Sequence, residues 1–200
     1  MKKLLSALMA VLILVSACAF AETASPAEPL KEGEMYFHGY KNVQTGYYVG
    51  VPAEWALIGI NSTADNISQA EEIMGYTEVQ ALLKELSAEN DLLLAVAPTG
   101  EQMAVTYGLS DGVTSETLIG EIDNFKKMLS AAYTGIEFKE ESGAYSVNDL
   151  TQILYIGAKY KSHDISQYLM PLGSHIFVFT FTDVDTEIEK AVLSTFGIVD

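Results

Sequence analysis

Three histidines are the side chains of this chain best suited to proton transfer or metal binding, because imidazole changes its charge near neutral pH. They are His38, His163 and His175, and they lie far apart in the sequence. None belongs to an H-x-x-x-H or H-E-x-x-H arrangement, which would place two imidazoles on one helix face. His38 alternates with Tyr36 and Tyr40, as residues on one face of a strand do. We therefore predict no catalytic or metal-binding histidine and no cofactor.

Four carboxylates crowd the segment that leads into the predicted last helix: Asp183, Asp185, Glu187 and Glu189. A calcium loop needs spaced oxygen ligands and usually a glycine for its sharp turn, and this segment has no glycine. Capping and the helix dipole already explain acids at a helix N-terminus. We predict that Asp183 caps the last helix. A divalent-cation-responsive module that uses the acidic surface remains an alternative.

One pentapeptide, Gly108-Leu109-Ser110-Asp111-Gly112, carries the letters of the G-x-S-x-G nucleophile elbow. We interpret it as the end of a strand followed by a turn, so that no catalytic serine is predicted. A phosphate loop of the G-x-x-x-x-G-K type does not occur. An extracellular hydrolase whose active site follows no motif remains an alternative.

Tyrosine is abundant, with 11 residues in the chain. Aromatic side chains that face outward can stack on a ligand or anchor an interface, but they also favour strands for packing reasons. Packing is the favoured interpretation of the tyrosines on or beside predicted strands, which are Tyr36, Tyr40, Tyr47, Tyr48, Tyr155, Tyr160 and Tyr168. If such a surface contacts a partner, the predicted contact residues are Tyr36, Tyr40, Tyr47 and Trp55.

The charge balance excludes one class of partner. The chain has no arginine, and its 11 lysines oppose 27 acidic residues, for a formal net charge of −16. Nucleic-acid binding depends on basic side chains that neutralise phosphates, so we predict no nucleic-acid partner. The acidic surface favours solubility, and it could attract cations or basic partners.

Residues 1–21 have the three parts of a bacterial signal sequence. Lys2 and Lys3 are followed by an apolar run over residues 4–15 and then by mainly small residues. An apolar run of about 12 residues is too short to span a bilayer, which takes about 20. The leader therefore predicts export.

The leader can be cut at two places. Small residues at Ala19 and Ala21 favour an ordinary cut before Glu22, whereas residues 15–18, Val-Ser-Ala-Cys, resemble a lipobox that would leave a diacylated Cys18 at the mature N-terminus. Two acyl chains suffice for stable anchoring. Both cuts stay open, with the ordinary one slightly favoured. Residues 22–34, rich in proline, acids and small residues, predict a flexible linker.

Residues 35–200 are predicted to form a single α+β domain with a largely antiparallel sheet flanked by helices. A hairpin is predicted around Pro98-Thr99-Gly100, and a capping box at Thr77-Glu78-Val79-Gln80. One helix is predicted to start at Thr114 or Ser115 and to run past Lys126 and Lys127. The predicted strands cover residues 35–40, 46–51, 55–60, 91–97, 102–109, 135–140, 144–160 with a break near 148–149, 168–172 and 174–182. The other predicted helices cover residues 67–74 and 77–86, and a last helix follows residue 183.

Two stretches resemble PsbP-like domains. One is the aromatic strand that passes through a proline turn to a tryptophan, GYYVGVPAEW at residues 46–55. The other is IFVFTFT at residues 176–182, followed by a helix that closes on LSTF at residues 193–196. The resemblance spans residues 35–199 and implies an α/β/α sandwich. It also implies a binding or assembly role, and it transfers no catalytic residue.

These features together predict an exported or lipid-anchored, non-catalytic binding or assembly domain at the bacterial cell envelope. It would act outside the cell or on the outer face of the membrane. Its partner would be a protein or a small molecule, and it would contact the membrane only through a lipid on Cys18.

Overall fold

A computed structural model describes residues 37–42, 46–60, 62–85, 92–110, 112–148 and 151–198. The predicted leader and linker, with Cys18, Ala21 and Glu22, lie outside the described residues. The strands are β1 (Phe37–Lys41), β2 (Tyr47–Pro52), β3 (Ala56–Ile58), β4 (Leu93–Val96), β5 (Gln102–Leu109), β6 (Glu137–Phe138), β7 (Gly143–Asn148), β8 (Thr151–Tyr160), β9 (His163–Leu172), β10 (His175–Thr182) and β11 (Gly197–Ile198). The helices are α1 (Ala64–Met74), α2 (Tyr76–Glu85), α3 (Ser115–Gly120), α4 (Ile122–Ala132) and α5 (Thr186–Thr195).

The predicted α+β class with antiparallel strands and flanking helices is confirmed. Eight strands are hydrogen-bonded in the order β3-β4-β5-β10-β9-β8-β6, with β7 paired to β8, and a separate sheet has the order β1-β2-β11. The described chain divides into two compact units. The first comprises residues 103–183, and the second comprises residues 37–102 and 184–198.

In the first unit, α3 and α4 cover one face of the sheet. Alternation along β8, β9 and β10 places every second side chain on that face. The resulting core is formed by Leu118, Phe125, Leu129, Leu154, Ile156, Leu169, Ile176 and Val178. The opposite face carries the side chains of Tyr155 and Tyr168, which are paired across β8 and β9. The predicted break near residues 148–149 is confirmed, because β7 and β8 are separate strands.

The helix predicted from Thr114 is interrupted. Thr114 caps α3, as predicted, by accepting the Thr117 N–H at 3.2 Å. Gly120, a poor helix former, ends α3, and Glu121 separates it from α4. The helix runs past Lys126 and Lys127 as predicted, and because α4 continues to residue 132, neither lysine is in its last turn. The Lys126 ammonium instead lies 5.6 Å from the ring centroid of Phe138.

In the second unit, α1 and α2 follow one another with one residue between them. Thr63 forms a capping box with Asn66 at the start of α1, and Gly75 ends the helix with φ 96°, a conformation suited to glycine. The capping box predicted at Thr77 is wrong, because α2 already begins at Tyr76. The predicted end of α1 at residue 74 is confirmed.

The last helix begins two residues later than predicted. Asp185 caps α5 by accepting the Glu187 N–H at 2.7 Å, so the predicted cap at Asp183 is wrong. At the other end of α5, Thr195 Oγ1 accepts the Gly50 N–H of β2 at 2.6 Å. The helix is thereby fixed to the small sheet within the second unit. Within the described residues, no helix combines the length and the apolar character that a membrane-spanning helix requires.

Candidate functional site

Asp183, which follows β10, ties the end of that strand to the start of β9. Its φ is 57°, in the left-handed region that Asp tolerates better than most residues. Oδ1 accepts the Asp164 N–H at 2.8 Å, and Oδ2 lies 2.5 Å from His163 Nδ1. The Asp183 N–H donates to the Asp164 carbonyl at 2.8 Å. Both oxygens of this carboxylate thus serve the hairpin, which explains why Asp183 does not cap α5.

The His163–Asp183 contact has the form of two members of a catalytic triad. In such a triad the carboxylate orients the imidazole, and the other ring nitrogen activates a hydroxyl or thiol. Among the residues the structure describes, no hydroxyl or thiol is hydrogen-bonded to His163. The contact therefore orients the ring on the hairpin, and the third member of a triad is missing from the described part of the chain.

Lys139 and Asp164 form an ion pair beside this contact, with Nζ 2.9 Å from Oδ1. The hydrogen bond from Lys139 lowers the pKa of the Asp164 carboxyl, and the same bond raises the pKa of the Lys139 ammonium. Both groups therefore stay charged at neutral pH. A lysine whose pKa is raised is a poor base or nucleophile. Lys139, His163, Asp164 and Asp183 are called the corner cluster below.

Gly157 joins the corner cluster to an aromatic surface. A methyl group at Gly157 would lie 2.5 Å from the Tyr155 hydroxyl oxygen and 3.1 Å from Lys139 Cδ. The tyrosine ring and the lysine stem therefore share the space that the missing side chain leaves open. Ser142 Oγ supports this position by accepting the Gly157 N–H at 3.1 Å and donating to the Lys139 carbonyl at 2.8 Å.

Three tyrosines, Tyr145, Tyr155 and Tyr168, form what we call the tyrosine strip across β7, β8 and β9. The ring centroid of Tyr168 lies 5.0 Å from that of Tyr155 and 5.1 Å from that of Tyr145. Tyr168 is buried and also packs against Phe181, with centroids 5.9 Å apart. Tyr145 and Tyr155 are half-buried. A strip of this kind can bind a partner or ligand by aromatic contact.

The aromatics predicted to contact a partner are buried in the second unit. Tyr40, Tyr47 and Trp55 are all at most 5 % exposed, so the structure corrects their predicted contact role to packing. Tyr47 packs between Tyr40 and Phe196, each with a centroid distance of 6.0 Å. Tyr36 lies outside the described residues. The strand alternation that identified these residues did not reveal which face of the small sheet is covered.

The three remaining acidic candidates differ in role and in burial. Asp185 caps α5, Glu187 is exposed in its first turn, and Glu189 is buried. In the described part of the chain, no group of three or more His, Cys, Asp or Glu side chains could hold a metal ion.

Ser110, the central residue of the G-x-S-x-G letters, is 3 % exposed. It directly follows the last residue of β5, as predicted. Its hydroxyl has no hydrogen-bond partner in the described residues. A nucleophile elbow instead exposes its serine on a strained turn, and Ser110 has no positive φ. Of the other histidines, His175 packs against Tyr107 at 5.4 Å between centroids, and the side chain of His38 lies outside the described residues.

The register of the hairpins brings the tyrosine strip and the corner cluster together. Sequence patterns placed Tyr155 and Tyr168 on strands, but they did not include Tyr145, Lys139 or Asp164 as site residues. The pairing of Tyr155 with Tyr168 and of Lys159 with Asp164 follows from the β8–β9 register. The one sequence signal that could have revealed this register was a tight turn at residues 161–162 between two aromatic strands.

Comparison with known proteins identifies the fold. No protein-family model and no curated protein matches the sequence. The solution structure of cyanobacterial PsbP (CyanoP) from Synechocystis sp. PCC 6803 is similar, with a TM-score of 0.53 and 12% identity over 86% of this chain and 98% of that one. The Saccharomyces cerevisiae Ran-binding protein Mog1p has a TM-score of 0.49 and 12% identity over 84% of this chain and 97% of that one. On the strength of the CyanoP similarity, the chain has a PsbP-like domain fold.

Proposed function

We propose that the chain is a non-catalytic binding or assembly domain of the bacterial cell envelope, and that the tyrosine strip is its contact surface. The observation that carries this proposal is the pair of half-buried rings, Tyr145 and Tyr155, packed against the buried Tyr168. Tyrosine supplies a large contact area at a low cost in conformational entropy. The resemblance to PsbP-like domains also implies binding or assembly.

The chemistry of the corner cluster supports binding over catalysis. Asp183 is used by three hydrogen-bonding contacts within the β9–β10 hairpin. Lys139 and Asp164 neutralise each other at the surface. Catalytic acids and bases need a pKa near the working pH. The pKa of Lys139 is raised and the pKa of Asp164 is lowered, so both pKa values lie further from neutral pH than usual.

The proposal is tested by isolating partners from the solubilised envelope of the source bacterium with the tagged mature protein. We expect Tyr145→Ala to reduce recovery of a specific partner by about tenfold, since aromatic anchors are typical binding hot spots. Tyr133→Ala is the matched control, because Tyr133 is a half-buried tyrosine that packs edge-on against Tyr160 outside the strip. Identical recovery with wild type and Tyr145→Ala would exclude the strip as the contact surface.

We further propose that the leader in residues 1–21 exports the domain, with either a free N-terminus at Glu22 or a lipid on Cys18. The charge and apolar pattern of the leader support export. Intact-mass analysis of the mature protein distinguishes the two products. A Cys18→Ala variant that stays in the membrane fraction would exclude lipid anchoring, and a mass that retains residues 1–17 would exclude cleavage.

A further inference from the structure

The first unit carries one exposed leucine among half-buried aromatic and apolar side chains, where β5 ends and β9 turns into β10. We call this group the uncharged tip and define it as Tyr107, Leu109, Leu172 and His175. Leu109 is 68% exposed, the most of any large apolar side chain in the described residues. Tyr107 and Leu109 alternate with Gly108 and so share one face of β5. His175 packs edge-on against Tyr107 and pairs with Leu172 across the hairpin.

Backbone contacts hold the tip in place. The Ser110 N–H, directly after Leu109, donates to the Ser174 carbonyl at 2.7 Å. Gly173, with φ 61°, makes the tight turn that brings Ser174 there. The ring of Phe177 supports Tyr107 from below, with centroids 5.7 Å apart. Leu109 therefore projects from a fixed frame, which lowers the entropy lost when it is bound.

The tip differs from the rest of the chain in its charge. Charged residues make up 19% of the sequence, yet residues 102–110 and 165–182 contain none. Asp111, the nearest acidic residue in sequence, lies outside the described residues. The four residues of the tip include no Asp, Glu, Lys or Arg, and a low content of charged residues is typical of the core of a protein interface. Without a partner, the Leu109 side chain stays in contact with water, which is unfavourable in free energy.

Two kinds of surface could cover Leu109, and the charge of the chain favours one. One leucine offers far less apolar area than an acyl chain, which alone gives only marginal membrane binding. The net charge of −16 also opposes approach to anionic lipids. The same charge attracts a basic protein and steers its approach. We propose that the uncharged tip docks into an apolar pocket of a protein partner that has a net positive charge.

This proposal rests on the proposed binding function and adds a second contact surface to it. The test places a photo-crosslinking benzophenone amino acid at position 109 of the full exported chain in the source bacterium. The control carries it at Tyr76, an equally exposed apolar residue on α2. We expect a discrete adduct with a basic protein from position 109 and no such adduct from position 76. In a binding assay with that purified protein, Leu109→Ser should weaken affinity by about 10- to 100-fold, while Tyr76→Ser leaves it unchanged.

The other outcomes overturn the proposal. An adduct with lipid alone would make the tip a membrane contact, and an adduct with a second copy of this chain would make it a self-association surface. Equal labelling from positions 76 and 109 would remove any specific contact. If the tip fails in one of these ways while Tyr145→Ala still reduces partner recovery, the proposed function stands. If neither substitution changes recovery, both proposals fail.

Discussion

At the scale of single residues, tyrosines and glycines are paired in space. The rings of Tyr40, Tyr155 and Tyr48 occupy the positions where Gly59, Gly157 and Gly197, respectively, would carry a side chain. Aromatic rings that cover strand glycines compensate for the packing that glycine cannot provide. The glycines are therefore needed for the space they leave, and not for an unusual backbone angle, since none of the three has a positive φ.

Substitution of Gly157 tests whether the Tyr155 ring of the tyrosine strip needs the space beside this glycine. We expect Gly157→Ala to displace the Tyr155 ring and the Lys139 stem and to lower the free energy of unfolding by about 1–2 kcal/mol, as overpacking does. Gly143→Ala on β7 is the control, because no atom lies within 4 Å of the added methyl group. It should be neutral or slightly stabilising. Urea denaturation measures both, and equal stability of the two variants would contradict the pairing.

The Lys139–Asp164 pair predicts a pH dependence of stability. The pKa of Asp164 is lowered from 3.8, so the contribution of the pair is present above that pH and is lost as pH falls through the lowered value. The pKa of Lys139 is raised from 10.5, so the contribution is present below that pH and is lost as pH rises through the raised value. The side chains are 34% and 56% exposed, so the pair contributes at most about 1 kcal/mol.

We therefore expect Lys139→Met to lower the free energy of unfolding at pH 7 by at most about 1 kcal/mol. The difference from wild type should shrink as pH falls below about 4, because protonated Asp164 no longer needs the ammonium. Lys127→Met, at an exposed lysine of α4, controls for loss of charge. Denaturation curves between pH 3 and pH 7 measure the effect. A Lys139→Met difference that stays constant over this range would show that the ion pair is not its cause.

At the scale of elements, substitutions at the N-terminus of α5 test whether Asp185 is the residue that caps this helix. We expect Asp185→Ala to lower the free energy of unfolding by about 1 kcal/mol, the usual effect of losing an N-cap. Asp185→Asn should retain most of the stability, because its amide oxygen can still accept the Glu187 N–H. Thermal unfolding measures both variants. If Asp185→Ala is as stable as wild type, the cap lies elsewhere.

The elements themselves were largely predictable because their signals are local. The hairpin at Pro98-Thr99-Gly100 was predicted correctly, and Gly100 there has φ 101°. The helix stop at Gly75 was also predicted, since glycine is the common residue after a helix end. The break between α3 and α4 was missed, because an apolar face continues through Leu118, Ile122 and Phe125. Periodicity reports which face is apolar, and it does not detect a single turn that loses helical geometry.

The candidate site was less predictable, because long-range contacts form it. Asp183 and Asp185 are both reasonable caps from the sequence alone. Only the pairing of β9 with β10 brings His163 and the Asp164 N–H to Asp183 and thereby decides between the two acids. Likewise, alternation placed Tyr47 on a strand, but its packing against Phe196 depends on where the chain returns. The tyrosine strip needs the register of two hairpins, which no local pattern specifies.

At the scale of the whole molecule, three properties point the same way. The leader predicts export, the PsbP-like fold carries a surface of half-buried tyrosines, and the charged side chains of the corner cluster hold a hairpin together. A formal charge of −16 over the whole chain favours solubility and attraction to basic surfaces. These properties support the binding function that we propose.

The most direct test of this account is the affinity of a purified envelope partner for the mature wild-type protein and its tyrosine variants, measured by isothermal titration calorimetry. We expect Tyr145→Ala to weaken binding by about tenfold or more, corresponding to at least about 1.4 kcal/mol. Tyr133→Ala should bind as the wild type does, with all three proteins equally folded by circular dichroism. Equal affinities of wild type and Tyr145→Ala would contradict the central claim that the tyrosine strip is a binding surface.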